Sequence, residues 1–179
     1  MLNFTLYSDS DAPSKSKPLL ADSRRDFGMI PNLHGVMAES PQLLQAYKMT
    51  HQLFCESSFN DVERTIVWQT INGFHECHYC LPAHTAIAHG MGVDAGLIDA
   101  LKVGAPLDDP RLQLLRDTTL ALVRERGRLS DAQLQAFLSA GFSKANLLDM
   151  VLAIGQKVMS NYTNHLARTP LDEAFKPYS

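Results

Sequence analysis

A chain of 179 residues is long enough for one domain with its own core and short for two. Its hydrophobic share of 45%, charged share of 20% and net charge of −3 exclude a disordered or membrane composition and speak against a nucleic-acid surface. No stretch approaches the roughly 20 apolar residues of a membrane span. The start from Met1 to Thr5 lacks a basic segment followed by an apolar run, and three cysteines do not form a secreted disulfide framework. The expected setting is the cytoplasm.

Residues 1–38 read as an irregular N-terminal segment, because Ser8, Asp9, Ser10, Asp11, Pro13, Ser14, Ser16 and Pro18 favour turns. Residues 39–179 read as one helical domain. Ser40-Pro41 starts a helix with an apolar stripe at Leu43, Leu44, Tyr47, Leu53 and Phe54. Ser58 or Asn60 caps the next, with Asp61 and Glu63 in its first turn and Asn72-Gly73 as its end. A third runs from about Tyr79 to His89, and a fourth from about Asp94 to Val103. Asp109-Pro110 opens a long helix that closes at Gly127. Ser130-x-x-Gln133 is a capping box for a helix that closes at Gly141, and Ser143 caps the last. No run of strand alternation is present. The fold class is all-α, with short connections and mostly antiparallel neighbours.

The chemistry concentrates in Cys77-His78-Tyr79-Cys80 and His84. Two thiols at this spacing can cycle through a disulfide. Pro82 has no N–H to donate and fits only the first turn of a helix. The helix then begins near Tyr79 with Cys77 at its N-terminal end, where free N–H groups and the helix dipole favour a thiolate. Cys77 is on this argument the more acidic and exposed thiol. Cys80 and His84, four residues apart, share a helix face, so the imidazole can exchange a proton with the thiol. Glu63, on the preceding helix, is the candidate carboxylate for the same relay. Plainer readings stay open. Both thiols could be packed as small apolar groups. Cys77, Cys80 and His84 could bind zinc with His75 or His78 as fourth ligand, although structural zinc sites more often pair two distant motifs. Cys55 stands in an apolar stripe and reads as core, and His51, His75, His78 and His89 read as surface or capping residues.

The segment Val62-Glu63-Arg64-Thr65-Ile66-Val67, then Asn72, then Cys77-His78-Tyr79-Cys80-Leu81-Pro82-Ala83-His84 resembles the core motif of the AhpD-like alkylhydroperoxidases of the carboxymuconolactone decarboxylase superfamily. Phe27-Gly28-Met29-Ile30-Pro31-Asn32-Leu33, Ser160-Asn161-Tyr162-Thr163-Asn164-His165 and Thr169-Pro170-Leu171-Asp172-Glu173-Ala174-Phe175 are similar to its peroxidase-related branch. Tyr79 stands where the AhpD pattern has a histidine. Thr65 stands where it has a glutamate, and Glu63 lies two positions further back.

The resemblance implies a single-domain helical bundle with the Cys-x-x-Cys motif at a helix N-terminus, assembled as a homo-oligomer, commonly a trimer or hexamer. It implies a thiol peroxidase that reduces hydroperoxides through Cys77 and Cys80, with peroxide meeting Cys80 and Cys77 closing the disulfide. His84 and Glu63 would form the proton relay, a thiol or dithiol would be the reductant, and no bound metal or organic cofactor is needed. The alternatives are a lactone enzyme like the decarboxylases of the superfamily, against which the cysteine pair argues, and a non-enzymatic oligomeric helical domain.

Overall fold

The computed structural model describes residues 3–179, so Met1 and Leu2, part of the start read for a leader, lie outside the described residues. The described residues form nine α-helices, a short C-terminal 3-10 helix at Glu173–Tyr178 and no strand. The helices are α1 (Lys17–Phe27), α2 (Asn32–Met37), α3 (Pro41–Cys55), α4 (Asp61–Phe74), α5 (Cys80–Gly90), α6 (Ala95–Val103), α7 (Pro110–Arg124), α8 (Asp131–Ser139) and α9 (Lys144–Ala167). No single helix is long and apolar enough to cross a membrane.

The caps expected from sequence set the starts. Ser40 Oγ accepts from Leu43 N at 3.4 Å, and capping boxes open α4 (Asn60 with Glu63), α8 (Ser130 with Gln133) and α9 (Ser143 with Asn146). One end differs from expectation. Helix α4 runs past Asn72-Gly73 to Phe74, and Glu76 takes the left-handed conformation at φ 51°. Glu76 N donates to Gly73 O and Cys77 N to Asn72 O, both at 3.1 Å, closing a Schellman turn. That turn hands the chain directly from α4 to the first cysteine.

The N-terminal segment also differs, for it carries α1 and α2. Pro18 sits in the first turn of α1, where a missing N–H is harmless, and Gly28 ends it at φ 71°. Leu20, Leu33 and Met37 from this segment form one buried cluster with Leu44, Tyr47, Cys77, Tyr79 and Cys80. The segment is therefore the wall that closes over the cysteines. A second cluster packs Phe54, Trp68, Ile71, Leu115, Phe137 and Met150 between α3, α4, α7, α8 and α9. Helix α4 contacts α5, α7 and α9, and α9 also packs on α3 and α2, so the cysteine motif stands where these elements converge.

Candidate active site

Helix α5 begins at Cys80, leaving Cys77 three residues outside it. The Cys80 N–H donates to Cys77 Sγ at 3.3 Å, the helix-end contact expected for that thiol. The expectation of exposure is overturned, however. Cys77 is 0% exposed and Cys80 2%. Of the two, Cys80 lines a cavity of about 700 Å³, walled in part by α1, α2 and α3.

The expected order of acidity is reversed too. Burial pushes the Cys80 thiol up, but its hydrogen bond with Cys77, the ammonium of Lys157, and hydrogen bonds from Ser160 and Asn161 together hold it well below the ordinary thiol range. Cys77, hydrogen-bonded to Cys80 and buried, is pushed up and keeps its proton. The carboxamide of Asn164 donates to Cys80 Sγ at 3.2 Å and reaches Cys77 Sγ at 3.9 Å. One donor thus serves both sulfurs.

His84 is buried on α5 and faces Lys157, whose Nζ donates to His84 Nε2 at 2.8 Å. Burial, then the charge of Lys157, then His51 hold the imidazole neutral, well below its ordinary value. The link from His84 to the thiols therefore runs through Lys157. Lys157 is itself fully buried; desolvation lowers it while Cys80 and Cys77 raise it.

Glu63 is not brought to the thiols. Its Oε2 accepts from Asn60 N at 3.0 Å in the capping box, and its Oε1 accepts from Arg111 Nη1 at 2.6 Å. One oxygen thus closes the cap of α4 and the other ties α4 to α7. Thr65, where the AhpD pattern has its glutamate, bonds the Asp61 carbonyl of its own helix at 2.8 Å. Buried amides fix the backbone behind the site instead. Asn161 donates to Asn72 Oδ1 at 3.1 Å, Asn72 donates to Cys80 O at 3.3 Å, and Gln69 donates to Leu81 O at 3.2 Å. Tyr79, in place of a histidine, donates to the Asp172 carboxylate and accepts from Leu33 N at 3.3 Å, tying the motif to the C-terminal segment and to α2.

The zinc set is not assembled. His78 Nε2 stands 3.0 Å from Thr169 O, and the His75 ring lies against Phe74 and Tyr162. Among the described residues no group of three His, Cys, Asp or Glu could hold a metal ion.

Two further expectations are corrected. Cys55 is exposed at the cavity wall and not core, with its Sγ 3.7 Å from His51 Nε2. His51 is not a surface group: it stacks between Tyr47 and Trp68 and lines the cavity, with Gln156 Nε2 3.2 Å from its Nδ1. Trp68 in turn packs on His84 with ring centroids 4.9 Å apart and donates to Gln156 Oε1 at 2.9 Å. The cavity walls are mostly apolar, with Phe27, Met29, Leu33, Ile87 and Phe175 facing Cys80 and the imidazoles.

No family model and no curated relative matches this sequence. Solved structures do. An uncharacterized peroxidase-related protein with an alkylhydroperoxidase AhpD core, from Ralstonia eutropha, superposes with a TM-score of 0.85 at 18% identity over 97% of this chain and 93% of its own. A peroxidase-related protein from Silicibacter sp. gives 0.81 at 21% identity over 97% and 92%. A debrominase in complex with 2,3,4-tribromopyrrole gives 0.81 at 15% identity over 99% and 96%. The fold of the chain is thus the all-α AhpD-like fold, found in proteins with more than one activity.

Proposed function

With the AhpD-like fold as premise, we propose that the chain is a thiol-dependent oxidoreductase that reduces hydroperoxides through Cys80 and Cys77. The observation that carries this reading is the placement of Cys80: an acidified thiol at the wall of an apolar cavity, with Cys77, Asn164 and Lys157 around it.

The thiolate of Cys80 attacks the outer oxygen of the peroxide. The O–O bond breaks, Cys80 becomes a sulfenic acid, and the departing alkoxide takes a proton from the Lys157 ammonium. His84 Nε2, as acceptor, keeps that ammonium in place. Cys77 then attacks the sulfenic sulfur. The disulfide forms, the S–O bond breaks, and hydroxide leaves with the Cys77 proton as water. An external thiol or dithiol reduces the disulfide, and the regenerated Cys80 thiol returns its proton to Lys157. Such a reductant is available in the expected cytoplasmic setting.

A second reading is reductive dehalogenation of a halogenated ring by the same dithiol. There a carbon–halogen bond gives way to carbon–hydrogen, halide leaves and the two thiols become the disulfide. The size and ring-lined wall of the cavity favour it, and a structural neighbour is a debrominase.

Thiol counting before and after one equivalent of cumene hydroperoxide tests the first reading. Loss of two thiols with a Cys77–Cys80 disulfide on peptide mapping is expected; three unchanged thiols after long exposure overturn it. Inert thiols towards peroxide, with bromide released from a brominated pyrrole, give the second reading its support.

A further inference from the structure

A serine behind the cavity wall fixes the hydrogens of its neighbours. Ser23 Oγ lies 2.9 Å from Leu19 O, 3.0 Å from Lys48 Nζ and 2.8 Å from His34 Nδ1. A carbonyl only accepts and an ammonium only donates. The one hydroxyl hydrogen of Ser23 therefore goes to Leu19 O, four residues back on its own helix, and its oxygen accepts from Lys48. One role is left for the imidazole: His34 Nδ1–H donates to Ser23 Oγ.

Burial, then the charges of Lys48 and His51, pull His34 down to about 3, so the ring is neutral. A neutral imidazole with its hydrogen on Nδ1 carries a bare lone pair on Nε2. Among the described residues this atom has no hydrogen-bond partner, and protein atoms do not seal it off either. His34 is only 5% exposed and lines the cavity with Cys80, so the opening is onto the cavity. Phe27 and Tyr47 flank the ring edge-on, with centroids 5.7 Å and 5.6 Å away, and fix its plane.

A buried acceptor costs free energy until a donor reaches it. The neighbouring imidazole does not serve it. Gln156 Oε1 accepts from Trp68 Nε1, so Gln156 Nε2 donates to His51 Nδ1. The His51 hydrogen then sits on Nε2, 3.7 Å from Cys55 Sγ. An anion is poorly suited to the same wall. Lys48 already donates to Ser23 and Leu19, and the Asp26 carboxylate stands beside it.

We propose, resting on the reading above only for the meeting of substrate and Cys80 in this cavity, that His34 determines specificity: its Nε2 accepts a hydrogen bond from an O–H or N–H of the substrate. The substrate class is then a neutral, largely apolar molecule that carries such a donor apart from the group that reacts with Cys80. Purely hydrocarbon hydroperoxides fill the apolar walls and leave His34 unserved.

Calorimetric titration of the whole chain with three matched probes reads the preference. Para-cresol is expected to bind at least about fivefold tighter than para-methylanisole, which has nearly the same shape and no donor, and tighter than para-toluate. His34→Phe keeps a ring between Phe27 and Tyr47 and leaves Ser23 its bonds to Leu19 and Lys48. It should fold, as circular dichroism will show, and lose the preference for the phenol. If it does not fold, nitrogen NMR of the parent reads the same atom: His34 Nε2 should carry no hydrogen and should shift with para-cresol but not with para-methylanisole. Para-cresol should also raise the KM for cumene hydroperoxide without lowering kcat, because the two share the cavity. Equal binding of phenol and ether, which leaves Nε2 to water, overturns the proposal. So does toluate that binds as tightly as cresol, a preference that survives His34→Phe, a hydrogen found on Nε2, or inhibition that lowers kcat alone. A chain inert towards cumene hydroperoxide removes the peroxidase reading and leaves the binding comparison to decide the role of His34.

Discussion

Lys157 on α9 donates a hydrogen bond of 2.8 Å to His84 on α5, and both side chains are buried. Among the described residues no carboxylate forms an ion pair with this lysine. A buried ammonium without a counter-ion is costly. The anion available to it is the Cys80 thiolate, whose acidity Lys157 in turn supports. Each favours the charged form of the other against the burial that opposes both, and His84, held neutral, holds the lysine nitrogen in place.

Lys157→Met should therefore separate activity from stability. The substitution keeps the length of the side chain and removes the buried ammonium; Cys80 takes up a proton in response, so no buried charge is left unpaired and the thermal midpoint should change little. Cys80 loses its cation and its thiol moves towards the ordinary range, where only a few per cent is ionised at neutral pH; peroxide consumption should fall roughly 30-fold or more. Iodoacetamide alkylation of Cys80 against pH, in a background of Cys55→Ser and Cys77→Ser, reads the shift directly. An unchanged alkylation profile contradicts the assignment.

Much of the fold was legible because its signals are local. Asn60 with Glu63, Ser130 with Gln133 and Asp109 before Pro110 announce helix starts that depend on neighbouring residues alone. The Cys77/Cys80/His84 spacing was legible for the same reason. What escaped was long-range. Lys157 lies 73 positions from its partner His84. Its signal was present in the run of polar residues at 156, 157, 160, 161 and 164, a helical spacing that marks one face. Whether such a face turns to solvent or inward depends on the opposite face, and there Leu148, Val151 and Leu166 already argued against solvent. The sequence alone places Cys77 at a helix N-terminus, which is usually exposed. Here α1 and α2 cover it, and that covering segment was the part read as irregular.

Glu63→Gln should cost stability and leave turnover alone. The carboxylate joins Asn60 and Arg111, not the thiols. Losing an ion pair whose arginine is partly exposed costs about 1 kcal/mol. Denaturant unfolding should show the loss, while peroxide turnover stays within experimental error of the parent. A large fall in turnover at unchanged stability returns Glu63 to the proton relay.

Glu76→Gly should act in the opposite direction. Glu76 holds a left-handed conformation at φ 51°, where an L side chain is strained and glycine is not. The side chain is exposed, so little packing is lost. Relief of the strain, less the added freedom of the unfolded chain, should raise stability by up to about 1 kcal/mol. The turn that presents Cys77 keeps its two hydrogen bonds, so thiol reactivity should not change. A destabilised variant shows that the Glu76 side chain holds the turn by itself.

Acid should weaken the fold before carboxylates protonate. His34, His51 and His84 are all held neutral, chiefly by burial: His34 is pulled down to about 3, His51 to about 4 and His84 well below its ordinary value. In the unfolded chain each takes up a proton near 6.5. Below that pH the unfolded state binds more protons than the folded one, so stability falls with pH. The decline starts near 6.5 and continues to about 4, where His51 begins to protonate in place. Asp172, whose carboxyl burial pushes up, acts in the opposite direction, but it is one group against three. Thermal midpoints measured from neutral pH down to 4 should fall throughout, and His51→Phe, which keeps a ring between Tyr47 and Trp68, should make the slope shallower. A midpoint that stays flat across this range shows that the imidazoles reach solvent and that the cavity they line is wetter than its apolar walls indicate.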